Sequence, residues 1–80
     1  MEIFVGNLSY SADEDELKNI FAQYGDVVNV TICIDEMTGR ALGRAFVEMS
    51  DAEAARKAIL ALNGKEFDGR SLRLAPSIRE

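Results

Sequence analysis

Hydrophobic and polar positions alternate with a period of two over Glu2–Leu8. Ile3 and Val5 point one way while Glu2, Phe4 and Gly6 point the other, which predicts a strand. The polar stretch Ser9-Tyr10-Ser11 leads to Asp13, which with Glu16 three residues on forms a capping pair for a helix. Leu17, Ile20, Phe21 and Tyr24 recur at helical spacing, and Gly25 supplies the C-terminal stop. The β-branched run Val27–Ile34 predicts a second strand, with Val28, Val30, Ile32 and Ile34 alternating with Asn29, Thr31 and Cys33. Asp35–Gly43, containing Thr38-Gly39, reads as a polar loop. A third strand follows over Ala45–Met49, with Ala45, Val47 and Met49 on one side and Arg44, Phe46 and Glu48 on the other. Ser50 and Glu53 suggest a second capping box. Ala54, Ala55, Ala58, Ile59 and Leu62 form the stripe of a second helix, closed by Asn63-Gly64. Beyond Phe67 and Gly69-Arg70, a last strand spans Ser71–Ala75 and stops at Pro76, with Leu72 and Leu74 inward and Arg73 and Ala75 outward.

The resulting order, βαββαβ, predicts an α+β fold of the ferredoxin-like, split βαβ kind: a four-stranded antiparallel sheet with two helices on one face. Two helices cover one face only, so the other meets solvent and should carry polar residues. The first and third strands place Phe4 and Phe46 there instead, and this departure points to a function for that face.

Eighty residues suit one domain spanning 1–80, with a core over about 2–75 and a short tail over 76–80. The hydrophobic fraction of 48% is ample for a core. One cysteine, Cys33, and no histidine exclude a disulfide framework or a Cys/His zinc site within the chain. Cys33 reads as a small apolar strand residue. No apolar run approaches a membrane span, and the first residues lack the basic start of a signal peptide. A cytoplasmic protein is therefore expected. No pattern suggests a metal or organic cofactor.

Two motifs sharpen the reading. Ile3-Phe4-Val5-Gly6-Asn7-Leu8 resembles the hexamer motif of the RNA recognition motif family, and Leu42-Gly43-Arg44-Ala45-Phe46-Val47-Glu48-Met49 resembles that family's octamer. They lie on strands that this fold places side by side, and the likeness runs from Glu2 to about Ala75. With Asp35, Thr38-Gly39 and Arg40 ahead of the octamer, the chain is similar to small single-domain RNA-binding proteins of bacteria. The resemblance implies a monomer that binds single-stranded RNA, with single-stranded DNA a weaker ligand, and implies no catalysis. By that analogy Phe4 and Phe46 stack bases, each stack worth ~1–3 kcal/mol. Arg44 stands where the family usually has an aromatic ring; its planar guanidinium can stack on a base or pair with phosphate. Leu42 replaces a usual basic residue, and Met49 takes an inward aromatic position. The expected binding set is Phe4, Phe46, Arg44, Arg40 and Arg73, with Asn7, Glu48 and Ala75 around them.

Charge opposes this reading. Nine Lys and Arg against fourteen Asp and Glu give −5, whereas nucleic-acid binding usually shows a basic footprint. Asp13, Glu14, Asp15 and Glu16 open the first helix, on the far side of the fold, where they favour the helix dipole; setting those four aside leaves −1. Arg40, Arg44, Arg70, Arg73 and Arg79 then lie on or beside the sheet face, opposed mainly by Glu2 and Glu48.

Plainer readings stand beside each of these. Phe4 and Phe46 can pair across strands for ~0.2–1 kcal/mol with no ligand. Arg44 can partner Glu2 or Glu48, Arg40 can be a solvated loop residue, Asn7 can fix the loop that follows it, and Tyr10 can edge the sheet face or, the favoured reading, cover the core. Two other function classes are open. Some domains of this family grip a peptide between an acidic first helix and an Arg-x-Phe loop, and Lys65-Glu66-Phe67 sits near that position, with Lys in place of Arg. An acylphosphatase-like hydrolase on the same fold needs a basic phosphate loop after the first strand, and Leu8–Asp13 holds no basic residue, so an enzyme is not expected.

Overall fold

The computed structural model describes residues 1–77, so Ile78, Arg79 and Glu80, including the Arg79 expected near the sheet, lie outside the described residues. The elements run β1 (Glu2–Gly6), α1 (Glu14–Ala22), β2 (Val27–Ile34), β3 (Ala41–Met49), α2 (Ala52–Leu62), β4 (Glu66–Phe67), β5 (Arg70–Ser71) and β6 (Arg73–Pro76). β2, β3, β1 and β6 form one antiparallel sheet in that spatial order. This is the expected ferredoxin-like βαββαβ fold, with a small β4–β5 hairpin added before the last strand.

Ile3 and Val5 of β1, Ala45, Val47 and Met49 of β3, and Leu72 and Leu74 at the last strand all face the helices. They meet Leu17 and Phe21 of α1 and Ala54, Ala55, Ala58 and Leu62 of α2 in a single core. Full burial of a side chain such as Phe21 or Leu17 contributes about 1.5–3 kcal/mol, so this layer is the main source of stability. Among the described residues no polar or charged residue is buried.

The first helix starts as its residues predict. Asp13 Oδ1 accepts from the Glu16 backbone N–H at 2.8 Å, and Glu16 Oε1 accepts from the Asp13 N–H at 3.2 Å, a complete capping box. The second helix departs from expectation: its N-cap is Asp51, whose Oδ1 accepts from the Glu53 N–H. Ser50 is drawn away because its own N–H donates to the Asp26 carbonyl.

Three further expectations are corrected. Val28 is 57% exposed, because β2 bulges between Val27 and Asn29. Two residues there oppose one on β3, so the core takes Val27, Val30 and Ile32 and turns Val28 outward. A second irregularity between Ile32 and Ile34 leaves Ile34 exposed as well. β3 begins at Ala41, four residues earlier than its alternation predicts. The loop before it closes tightly, with the Asp35 N–H donating to the Arg40 carbonyl and Asp35 Oδ1 accepting from the Met37 N–H. The β4–β5 hairpin was signalled only by Asp68-Gly69. Their φ values of 51° and 78° are both positive, as a two-residue turn between antiparallel strands requires.

Gly25 is not the left-handed stop of α1, since its φ is not positive; Gln23 caps the helix in a right-handed conformation. The glycine is needed for space. A Cβ there would stand 2.6 Å from the Ala54 Cβ and 3.4 Å from the Met49 Cε. Ala54 has no torsion that moves its Cβ away, so α2 itself must shift. Gly25→Ala stiffens the unfolded chain, a gain of ~0.4–1 kcal/mol, but overpacking costs ~1–3 kcal/mol. The expected outcome is a net loss, read as a lower urea midpoint at unchanged slope; a midpoint at or above the parent's would contradict it.

Candidate nucleic-acid interface

Because strands alternate, the residues between the core positions stand on the face that the helices leave open. β1 and β3 pair in a register that sets Glu2 opposite Glu48 and Phe4 opposite Phe46, while β6 sets Ala75 opposite Phe4 and Arg73 opposite Gly6. β2 adds Asn29 opposite Glu48 and Thr31 opposite Phe46. The open face is thus built in cross-strand rows. A carboxylate row holds Glu2 and Glu48 with Asn29. An aromatic row runs Thr31, Phe46, Phe4, Ala75, and beyond it stand Arg44 and Arg73.

The two rings are half-buried rather than fully exposed, because they cover each other. Their centroids lie 5.7 Å apart at an interplanar angle of 62°, an edge-to-face contact. Phe4 also lies over Gly6, whose hypothetical Cβ would come within 2.8 Å of Phe4 Cε2 and 3.2 Å of its Cζ. The glycine is therefore the floor on which the ring rests. Ala75 is exposed and small, so the β6 side of Phe4 stays open.

Arg44 and Arg73 are exposed, and among the described residues neither makes an ion pair, so the reading of Arg44 as a partner for Glu2 or Glu48 is not what the structure places there. Arg40 stands apart from both, in the β2–β3 connection, where it lines an open hollow with Tyr10, Gly39, Ala41 and Leu42. Asn7 is engaged. Its Nδ2 donates to the Ser71 carbonyl at 2.8 Å and its Oδ1 accepts from Arg70 Nη2 at 3.0 Å, so it ties β1 to the β4–β5 hairpin instead of to the loop that follows it. Asn7 adopts φ 54°, a left-handed conformation that asparagine tolerates better than most residues.

Tyr10 and Arg70 lie outside the binding set expected from the sequence, although Arg70 is expected beside the sheet face. Tyr10 is 66% exposed and does not cover the core, and the Arg70 guanidinium carbon lies 5.4 Å from its ring centroid. Arg70 is held there by Asn7. The signal was a lone aromatic between two serines, Ser9-Tyr10-Ser11, with no large apolar neighbour at helical spacing. In the loop of the alternative, peptide-gripping reading, Phe67 packs against the core, and the backbone of Lys65 bonds to Leu62 and Leu72.

The sequence profile of the RNA recognition motif matches residues 3–73. The chain belongs to that family. RbpE of Nostoc sp., assigned as an RNA-binding protein, is 47% identical over 74 residues, covering 92% of this chain and 75% of that protein. Human cleavage stimulation factor subunit 2 is 46% identical over 72 residues, and the chain spans only 12% of its length. Among solved structures, the RNA-binding protein PG1 superposes with a TM-score of 0.96 at 41% identity, covering 100% of this chain and 96% of its own. The Rna15 RRM with bound GU RNA superposes at 0.86 with 29% identity, covering 98% and 83%.

In this RNA recognition motif, Gly6 positions Phe4. A ring, unlike the Ala54 Cβ, can swing aside, so Gly6→Ala should change thermal stability little while moving Phe4. The check is the set of nuclear Overhauser contacts between Phe4 and Phe46, expected to weaken or vanish; an intact ring pair in Gly6→Ala would refute the role.

Proposed function

We propose that the open sheet face binds a short single-stranded RNA segment, without catalysis, by stacking bases on Phe4 and Phe46. The observation that carries the reading is the opposed pair of half-exposed rings on a face bare of helices, with arginines in the next row that make no ion pair among the described residues. Aromatic rings left at the surface of a sheet cost solvation and return little from a cross-strand pair alone; nucleobases, flat and apolar on their faces, recover that loss. Membership of a family whose solved relatives include an RNA complex supports the ligand class.

Arg44 and Arg73 supply cations in the row beside the rings, while Tyr10 and Arg70 offer a second aromatic and cationic surface beyond them. Arg40 is placed to assist that outer surface more than the central one. Four of the fourteen acidic residues, Asp13, Glu14, Asp15 and Glu16, cluster at the start of α1, and Asp13, Glu14 and Asp15 line a hollow with Tyr10, so their repulsion falls on the outer surface more than on the Phe4–Phe46 row. With two or three arginines within reach of phosphate, the logarithm of affinity should fall against the logarithm of salt with a slope of roughly −2 or shallower.

Removing either ring should weaken binding of a short single-stranded RNA by about 5- to 150-fold, the equivalent of one ~1–3 kcal/mol stack, while the circular dichroism of the fold is preserved. A titration followed by backbone amide shifts would show the effect on β1 and β3. Unchanged affinity in the doubly substituted Phe4→Ala, Phe46→Ala protein, or shifts confined to α1 and α2, would refute the proposal.

A further inference from the structure

The rows of the open face are ordered by charge. Along β1 and β3 the sequence of rows is carboxylate, aromatic, then arginine: Glu2 and Glu48 stand on one side of the Phe4–Phe46 pair, and Arg44 and Arg73 on the other. A nucleotide has the same kind of polarity, an anionic phosphate at one end and a hydrogen-bonding base edge at the other. A nucleotide stacked on these rings lowers its energy in one orientation, with phosphate toward the arginines and the base edge toward the carboxylates. The reverse would set phosphate against Glu48 and leave the arginines without a partner.

We infer that Glu48 is a specificity residue, which selects bases presenting N–H donors on their Watson–Crick edge and disfavours uracil. The inference rests on the stacking reading above. Glu48 is exposed, stands beside Phe46 on the same face of β3, and among the described residues makes no hydrogen bond or ion pair of its own. Two residues along a strand span about 6.8 Å, so its carboxylate reaches the rim of a base centred on the Phe46 ring. An ionised carboxylate accepts hydrogen bonds and donates none. Guanine offers it two adjacent donors, N1–H and the N2 amino group, in the spacing of its two oxygens. Cytosine and adenine each offer one amino group. Uracil offers a single N3–H flanked by two carbonyl oxygens, both of which repel the carboxylate. Asn29, the Cα partner of Glu48 on β2, adds an amide to the same rim, and Glu2 adds a second acidic side chain across β1.

The test uses five-nucleotide RNAs in which the central position of an otherwise all-uracil strand is guanine, cytosine, adenine or uracil, with affinity read by fluorescence anisotropy. The expected order is guanine first, cytosine and adenine next and uracil last, with guanine over uracil by roughly 10-fold, as one good base-edge contact provides. In Glu48→Gln the amide can present either a donor or an acceptor, so the guanine-to-uracil ratio should fall to about twofold or less even as absolute affinities rise with the lost negative charge. Equal or tighter binding of the all-uracil strand by the parent protein would overturn the inference, as would a ratio preserved in Glu48→Gln. Failure of the stacking reading shows separately, as absolute affinities that Phe46→Ala leaves untouched.

Discussion

The register between β1 and β3 decides what both faces of the sheet can do. With Phe4 opposite Phe46, Ile3 faces Val47 and Val5 faces Ala45, all four fully buried. Because side chains alternate with a period of two, a slip of one residue would bury the rings and Glu48 while exposing Val47 and Met49. The core therefore enforces the arrangement of the open face. Energetically the dependence runs one way: the apolar layer under the helices holds the sheet, and the rings, carboxylates and arginines are displayed by it without being needed to form it.

Legibility followed from how local each determinant is. Alternation along β1, β3 and the last strand is a property of a few consecutive residues, so the core positions Ile3, Val5, Ala45, Val47, Leu72 and Leu74 could be read directly, and so could the outward Phe4, Phe46, Arg44 and Arg73. The Asp13–Glu16 capping box is equally local. What could not be read depended on a partner strand or helix. The bulge that turns Val28 outward exists only in relation to β3. Ser50 loses the cap to Asp51 because of a bond to Asp26, and Gly25 is small because Ala54 arrives beside it from α2.

Asn7 shows the same division within the candidate site. As part of a motif its position was evident, and its side chain was expected to act on the next few residues. It acts across the sheet, on Ser71 and Arg70, more than sixty residues away. Through Arg70 it reaches Tyr10, so one asparagine in a left-handed conformation joins the end of β1, the loop before α1 and the β4–β5 hairpin. Beside the core contacts of Leu8, Ala12 and Phe67, these side-chain contacts link the three segments at the surface. Exposed hydrogen bonds of this kind are individually worth only ~0.5–1.5 kcal/mol, so this corner should be the most adjustable part of the face.

The substitution of an arginine for a ring at position 44 has a consequence that composition alone hides. A third aromatic would widen an apolar platform and leave the orientation of a bound nucleotide to weak preferences. Arg44, with Arg73 across from it on β6 and Glu48 on the opposite side of the rings, gives the platform a direction instead. The same acidic residues that make the chain look unsuited to RNA fall into two groups with different effects. Those at the start of α1 favour the helix dipole, and Asp13, Glu14 and Asp15 line a hollow with Tyr10 at the edge of the face, where they oppose a polyanion through a field that salt screens over about 10 Å. Glu48, two residues from Phe46 on the same face, would on the proposed reading stand at the rim of a stacked base and act through geometry. Net charge therefore governs how fast and how tightly this surface gathers any polyanion, while the order of its rows governs which way round a nucleotide lies and which edge is read.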